Sequence, residues 1–223
     1  MFRSIRTSLI VLLAGIILFT VGVSSTVLNA FVKKPLLANA EDALRRSAQI
    51  TQSILNERRK RMRDQVRLVG VLPILVTVIE QGNRLTILDS ARSYQKDLDL
   101  QVLDVFNDVG KLIASGEGFG EGVIDNPQAR YLVQAALRQG KMADTFAIRN
   151  NRLALLATSG VGLHDEPSGG LLAGLYLDDA FANEIKTLTK SDVSFVAGGR
   201  VLGSTLPEKE QSRDLVQIVG TFS

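Results

Sequence analysis

The chain has 223 residues, of which 45% are hydrophobic, and its 26 basic and 23 acidic residues give a net charge of +3. Four basic residues lie within the first 34 positions, where there is no acid, so the remainder is slightly acidic and gives no support for a nucleic-acid-binding surface. The absence of cysteine excludes disulfides and thiolate chemistry.

The stretch Thr7–Val32 contains no charged residue and no histidine. About 20 apolar residues cross the roughly 30 Å hydrocarbon core of a bilayer, so residues 7–32 are predicted to form a transmembrane helix. The stretch is too long for the apolar region of a cleaved signal peptide, and we expect an uncleaved anchor. Basic residues flank it on both sides, so the charge bias is weak. Residues 1–6 are assigned to the cytoplasm. The large downstream domain then lies on the other side of the membrane, where an anchor has a purpose.

A single long helix is predicted from Pro35 to about Val69, and it would measure roughly 50 Å. Apolar or small residues recur along one face at Leu36, Ala40, Ala43, Ser47, Ile50, Ile54 and Met62. Such a stripe serves either a dimer seam or packing along the helix's own domain. We expect residues 33–69 to be a stalk through which a homodimer forms. The basic run Arg58–Arg61 with Arg63 is interpreted as a solvated face, with contact to an anionic partner as the alternative.

The region beyond Pro73 predicts an α+β module of antiparallel strands with helices packed on one face. The apolar segment Ile74–Glu80 comes first. Helices are predicted at Leu85–Tyr94, at Gln128–Gln139, and from a cap at Asp178 to about Thr189. Strands are predicted at Leu100–Phe106, Lys111–Ala114, Thr145–Arg149, Arg152–Ser159, Leu171–Leu177, Val193–Ala197 and Arg200–Ser204, with turns at Asn150-Asn151 and Gly198-Gly199.

Motifs for catalysis or cofactor binding are weak. The glycines at positions 116, 118, 120 and 122 have the wrong spacing for a nucleotide-binding loop and are interpreted as a flexible connector. His164 is the only histidine and is expected at the surface, since zinc would need several further ligands. Asp97, Asp99, Asp104 and Asp108 are close in sequence, but acids in strands and turns are commonly solvated or capping groups. We therefore expect no enzymatic activity, no metal and no cofactor.

Three segments carry a resemblance to a known family. They are Leu103–Ser115 (LDVFNDVGKLIAS), Gly174–Asp178 (GLYLD) and Asp192–Leu206, whose hairpin has the same form as the one at Leu100–Ala114. With the predicted anchor and stalk, the chain resembles the Cache superfamily, and most of all the double-Cache, PAS-like sensors of bacterial transmembrane receptors. The resemblance implies a membrane-distal sensor module at residues 70–190 and an incomplete second module at 191–223. It also implies an output module, such as a histidine kinase, a cyclase or a chemotaxis domain, beyond residue 223.

The resemblance also implies a small-molecule pocket between the helix Gln128–Gln139 and the sheet. Such pockets are mostly apolar with a few convergent polar groups, and the candidate ligand contacts are Tyr131, Arg149, Thr158 and Tyr176. The ligand class stays open. The expected function is extracytoplasmic sensing at the bacterial cell membrane, with the soluble domain in the periplasm. The alternative is a membrane-tethered adaptor or structural protein that binds a protein partner.

Overall fold

The computed structural model describes residues 18–21, 34–116, 127–139, 142–162 and 167–207. The chain divides into two compact units, Met1–Ile50 and Thr51–Ser223. Residues 18–21 are helical, and Leu18, Phe19 and Val21 expose their side chains. The rest of the predicted transmembrane stretch lies outside the described residues. Among the described helices, none combines the length and the hydropathy needed to cross a membrane.

From residue 34 to the first strand the structure has three helices: α1 at Lys34–Gly70, α2 at Pro73–Gln81 and α3 at Arg84–Asp97. The first is the predicted long helix. Pro73 begins α2, where a missing N–H costs nothing, and Gly82 ends it with a φ of 67° that favours glycine. Asn83 caps α3 by accepting a hydrogen bond from the backbone N–H of Thr86 at 3.3 Å.

Five strands form one antiparallel sheet in the order β2-β1-β5-β4-β3. The strands are β1 at Val102–Asn107, β2 at Leu112–Ser115, β3 at Ala143–Arg149, β4 at Arg152–Val161 and β5 at Gly169–Tyr176. Helix α4 at Pro127–Gln139 stands between β2 and β3 in the chain. The sheet and its flanking helices confirm the predicted α+β class.

The turn between β3 and β4 explains why these strands form a hairpin. Asn150 and Asn151 adopt φ values of 50° and 60°, which a two-residue turn of type I′ requires and which asparagine tolerates better than most residues. The predicted turn is therefore confirmed.

Each face of the sheet packs against different helices, because side chains alternate along a strand. Leu103 and Val105 belong to a core with α1, α2, α3 and α5, a helix at Asp179–Thr189. Val102 and Phe106 belong to a second core with α4. Asp104 lies between these two residues, so it occupies the α4 face within an otherwise apolar strand.

A small hairpin packs beside α5. It consists of β6 at Ser194–Ala197 and β7 at Arg200–Ser204. The rings of Phe181 and Phe195 stack at 5.9 Å between centroids, and the side chain of Asp179 accepts a hydrogen bond from the backbone N–H of Ser204 at 2.7 Å. The interpretation of this hairpin as the beginning of a second module stays a prediction, since residues 208–223 lie outside the described residues.

We expect Asp192, which precedes the small hairpin, to make a pH-dependent contribution to the stability of the fold. Hydrogen bonds from Lys186 (2.6 Å) and Thr205 (2.8 Å) lower the pKa of its carboxyl below the ordinary value. A lowered folded-state pKa gives stability that is present above the unfolded value of about 3.9 and is lost as pH falls through the folded value. Urea unfolding should therefore show Asp192→Asn less stable than the parent at neutral pH and equal to it in strong acid. A difference independent of pH would contradict this.

Candidate ligand-binding site

Two open pockets in the described residues adjoin the first turn of α4, and Pro127 and Gln128 line both. The larger has a volume of about 680 Å³ and is also lined by Phe146, Ala147, Ile148, Leu153, Val196, Ala197 and Gly198. The smaller has a volume of about 410 Å³ and is also lined by Tyr131, Leu132, Ala143, Asp144 and Thr145. We call the two pockets together the α4–β3 cleft. Their volumes lie in the range of small-molecule sites, roughly 300–1,000 Å³.

The position of β3 explains why the cleft lies here. β3 is the last strand of the five-stranded sheet, and within that sheet β4 is its one strand partner. The walls are mainly apolar, and the lining residues with polar side chains are Gln128, Tyr131, Asp144 and Thr145. Such a lining suits a ligand that is partly apolar and carries a few hydrogen-bonding groups.

Arg149, at the end of β3, forms an ion pair with Asp104 on β1. Nη1 donates to Oδ2, and Nη2 donates to Oδ1 at 3.3 Å. The side chains are 19% and 4% exposed respectively. In the sheet order β5 and β4 lie between the two strands, so the arginine extends over the α4 face. In this structure the guanidinium of Arg149 therefore binds the carboxylate of Asp104 through two bonds, the bidentate geometry typical of arginine–carboxylate pairs.

Tyr176 lies on the same face and is buried beneath another arginine. The guanidinium of Arg152 lies 3.8 Å from the centre of the tyrosine ring, a cation–π contact. Arg152 also forms an ion pair with Asp178 at 2.5 Å. The same aspartate caps α5, as predicted, by accepting a hydrogen bond from the backbone N–H of Phe181 at 3.2 Å.

Thr158 and Tyr131 lie in different surroundings. Thr158 is buried, and its hydroxyl faces the backbone carbonyl oxygens of Leu132 at 3.3 Å and Ala143 at 3.5 Å. This contact joins α4 to the sheet beneath the cleft. Tyr131 is exposed and lines the smaller pocket.

The structure therefore separates the four predicted residues into two pairs: Arg149 with Tyr176, and Thr158 with Tyr131. Strand register places Arg149 opposite Arg152, which stacks on Tyr176, whereas Thr158 is opposite Ala143 in the wall of the smaller pocket. Sequence reasoning missed the part played by Asp104. The signal for it was an acid between Val102 and Phe106 in a strand that is otherwise apolar.

The acids that are close in sequence have separate partners. Asp97 accepts a hydrogen bond from Ser93 at 3.3 Å, Asp108 accepts one from the N–H of Val109 at 3.0 Å, and Asp104 pairs with Arg149. In the described part of the chain, no three His, Cys, Asp or Glu residues are arranged to hold a metal ion. His164 and the glycines at 118, 120 and 122 lie outside the described residues.

The run of arginines on α1 contacts acids of its own unit. Arg58 pairs with Glu184 of α5 at 2.5 Å, and Arg59 and Arg63 pair with Asp144 of β3. The expectation of a purely solvated face is therefore wrong for these three residues, because carboxylates on neighbouring elements lie within hydrogen-bonding distance of them.

Comparison with known proteins shows similarity in structure. No protein-family model matches the sequence, and no curated protein matches it. The sensor domain of the Vibrio cholerae histidine kinase DctB is similar at 14% identity and a TM-score of 0.58, covering 79% of this chain and 69% of that one. The periplasmic domain of Vibrio cholerae LuxQ is similar at 14% identity and a TM-score of 0.56, covering 77% and 84%.

A third solved structure is a ligand-binding domain with its ligand. It is that of the Campylobacter jejuni chemoreceptor Tlp3 in complex with 4-methylisoleucine, similar at 12% identity and a TM-score of 0.53, covering 82% of this chain and 74% of that one. At such identities the similarity concerns the fold. The chain thus has a fold similar to that of these sensor and ligand-binding domains.

Proposed function

We propose that the chain is the ligand-sensing region of a membrane-anchored bacterial signal-transduction receptor and binds a small molecule in the α4–β3 cleft. The observation that carries the proposal is the cleft itself, a partly apolar pocket with a few polar groups in a fold shared with sensor domains. Binding would shift the packing of β3 and α4, and that shift would bias the receptor between two states.

Membrane attachment is supported by the N-terminal sequence. Residues 7–32 lack charge, and the three apolar side chains described there, Leu18, Phe19 and Val21, are exposed as lipid-facing groups would be. In this arrangement residues 33–69 are the stalk, residues 70–190 are the membrane-distal module in the periplasm, and residues 191–223 begin a second module. The output module would follow residue 223.

Homodimerisation through α1 is part of the same proposal. Leu44, Ile50 and Leu68 on this helix are exposed, which leaves apolar surface on α1 that a second copy of the chain could cover.

The ligand contacts are proposed from the two pairs of residues. Tyr131 borders the cleft directly. Arg149 could bind a ligand carboxylate only if that group replaced Asp104 as its partner. The ring of Tyr176 lies beneath the guanidinium of Arg152, so a ligand could contact the ring only if Arg152 moved away. Thr158 could contact a ligand if its hydroxyl turned away from the carbonyl oxygens of Leu132 and Ala143.

A second function, a tethered adaptor that binds a protein, is favoured by one observation. Val71, Ile74 and Leu85 expose apolar side chains near the ends of α1, α2 and α3. Adjacent exposed apolar groups commonly mark protein contacts, and of these residues Val71 and Ile74 are three positions apart in the chain.

A thermal-unfolding screen of the chain in lipid nanodiscs against amino acids, organic acids and amines separates the two functions. A ligand at 100 times its Kd stabilises the folded state by about 2.7 kcal/mol, and each kcal/mol raises the Tm of a chain of this size by about 2–4 °C. We expect at least one compound to raise the Tm by several degrees.

The variant Ala147→Leu should reduce that shift, because Ala147 lines the larger pocket and the longer side chain would occupy part of its volume. Val109→Leu, at an exposed turn, is the control. If no compound raises the Tm and a protein partner is stably captured instead, the adaptor function is correct.

A further inference from the structure

Two arginines of α1 hold one carboxylate of β3. Arg59 donates from Nε to Oδ2 of Asp144 at 2.6 Å, and Nη1 of Arg63 lies 3.4 Å from Oδ1. The side chain of Asp144 is 6% exposed, whereas the arginines are 37% and 44% exposed. We call these three residues the clamp. Charge-assisted hydrogen bonds to a carboxylate that is largely shielded from water are among the stronger polar contacts.

The clamp acts on the strand that forms the wall of the cleft. Asp144 is opposite Ala157, and Phe146 is opposite Leu155. Ala157 and Leu155 belong to the core shared with α1. The guanidinium of Arg59 also lies 5.6 Å from the centre of the Phe146 ring. Because side chains alternate along a strand, Ala147 points to the α4 face. One strand therefore borders the cleft and carries the carboxylate that α1 holds.

We propose that the clamp is a conformational device that couples opening of the α4–β3 cleft to α1. β3 is the edge strand of the sheet and is held by one strand partner, so its movement relative to α4 breaks fewer strand contacts than movement of a central strand would. When the clamp is formed, β3 is held against α1 and the cleft rarely opens further than in this structure. By reciprocity, an occupant that holds the cleft in one state changes how firmly β3 holds α1. The role of the clamp in signalling rests on the function proposed above, but the coupling itself does not require a known ligand.

Other ion pairs of α1 provide matched controls. Arg58 joins α1 to α5 through Glu184, with its guanidinium 6.0 Å from the ring of Phe181. Arg61 pairs with Glu57 within α1 at 3.0 Å. Neither Glu184 nor Glu57 contacts β3 through these bonds, so their removal should not widen the cleft.

The test is the alkylation rate of a single cysteine in the intact chain. The natural sequence contains no cysteine, and Ala147→Cys places a small thiol in the wall of the larger pocket at a position that is 3% exposed. Iodoacetamide can then react when the cleft opens further and exposes this buried position. We expect Asp144→Asn in this background to raise the rate about three- to tenfold, whereas Glu184→Gln and Glu57→Gln should change it by less than about twofold.

Arg63→Gln is the second clamp variant, for use if Asp144→Asn does not fold, because it leaves the bond from Arg59 to Asp144 in place. It should raise the rate in the same direction by a smaller factor. An unchanged rate in the folded clamp variants would overturn the proposal, and so would an equal increase for Glu184→Gln, since that would indicate general loosening. A third outcome separates the two proposals. If a compound raises the Tm but the clamp substitutions do not change the alkylation rate, the sensor function is supported and the coupling alone is rejected.

Discussion

Replacing Arg149 with Met is expected to lower the free energy of unfolding by about 3–5 kcal/mol. The substitution keeps much of the apolar stem but removes the partner of Asp104, whose side chain is 4% exposed. An ionised carboxylate left in a low-dielectric environment without its partner is strongly unfavourable. Urea unfolding monitored by circular dichroism measures the change.

The double variant Asp104→Leu with Arg149→Met is the matched control. Removing both charges together is often neutral or stabilising, so it should recover most of the stability lost by Arg149→Met alone. Arg152→Met is a second control and should cost less, because Arg152 and Asp178 are 45% and 24% exposed. If the single and the double variant lose equal stability, the ion pair between β1 and β3 does not hold the α4 face together.

Phe106→Ala is expected to lower the free energy of unfolding by about 3–5 kcal/mol. Phe106 is 0% exposed and belongs to the core between α4 and the sheet, so truncation leaves a cavity beneath the helix that borders the cleft. Chemical denaturation gives the value directly.

Val109→Ala, at a residue that is 70% exposed in the β1–β2 turn, should change stability by less than about 0.5 kcal/mol. A loss below about 1 kcal/mol for Phe106→Ala would show that α4 is not packed on the sheet as described.

The elements of the fold that depend on local sequence could be predicted. Asn150-Asn151 indicated the β3–β4 turn, and Asp178 indicated the start of α5, because each acts through its own backbone or through neighbours a few positions away. The helix α2 was not predicted, since Ile74–Glu80 was recognised only as an apolar segment. The nearly continuous apolar run in β1 likewise indicated a buried strand.

The order of the strands could not be derived from such signals. β1 pairs with β5, which follows it by more than 60 residues in the chain, and nothing near either strand specifies that partner. The candidate site depends on the same non-local pairing. Arg149 faces the α4 side with Asp104 only because β5 and β4 lie between their strands in the order observed.

The arginines of α1 show the same limit. A run of basic residues on a helix is compatible with solvent or with an acidic partner, and the sequence contains no local signal that distinguishes these. Asp144 lies 85 positions beyond Arg59, and the sheet alone brings it into contact with the helix.

The most direct test of the central claim is hydrogen–deuterium exchange of the chain in nanodiscs, with and without the compound that raises the Tm most. If a small molecule binds in the α4–β3 cleft, amides in residues 127–139 and 143–149 should exchange more slowly in its presence, and those of α3 at residues 84–97 should not change. Protection confined to α3, or no protection of α4 and β3 by any compound, would contradict the account.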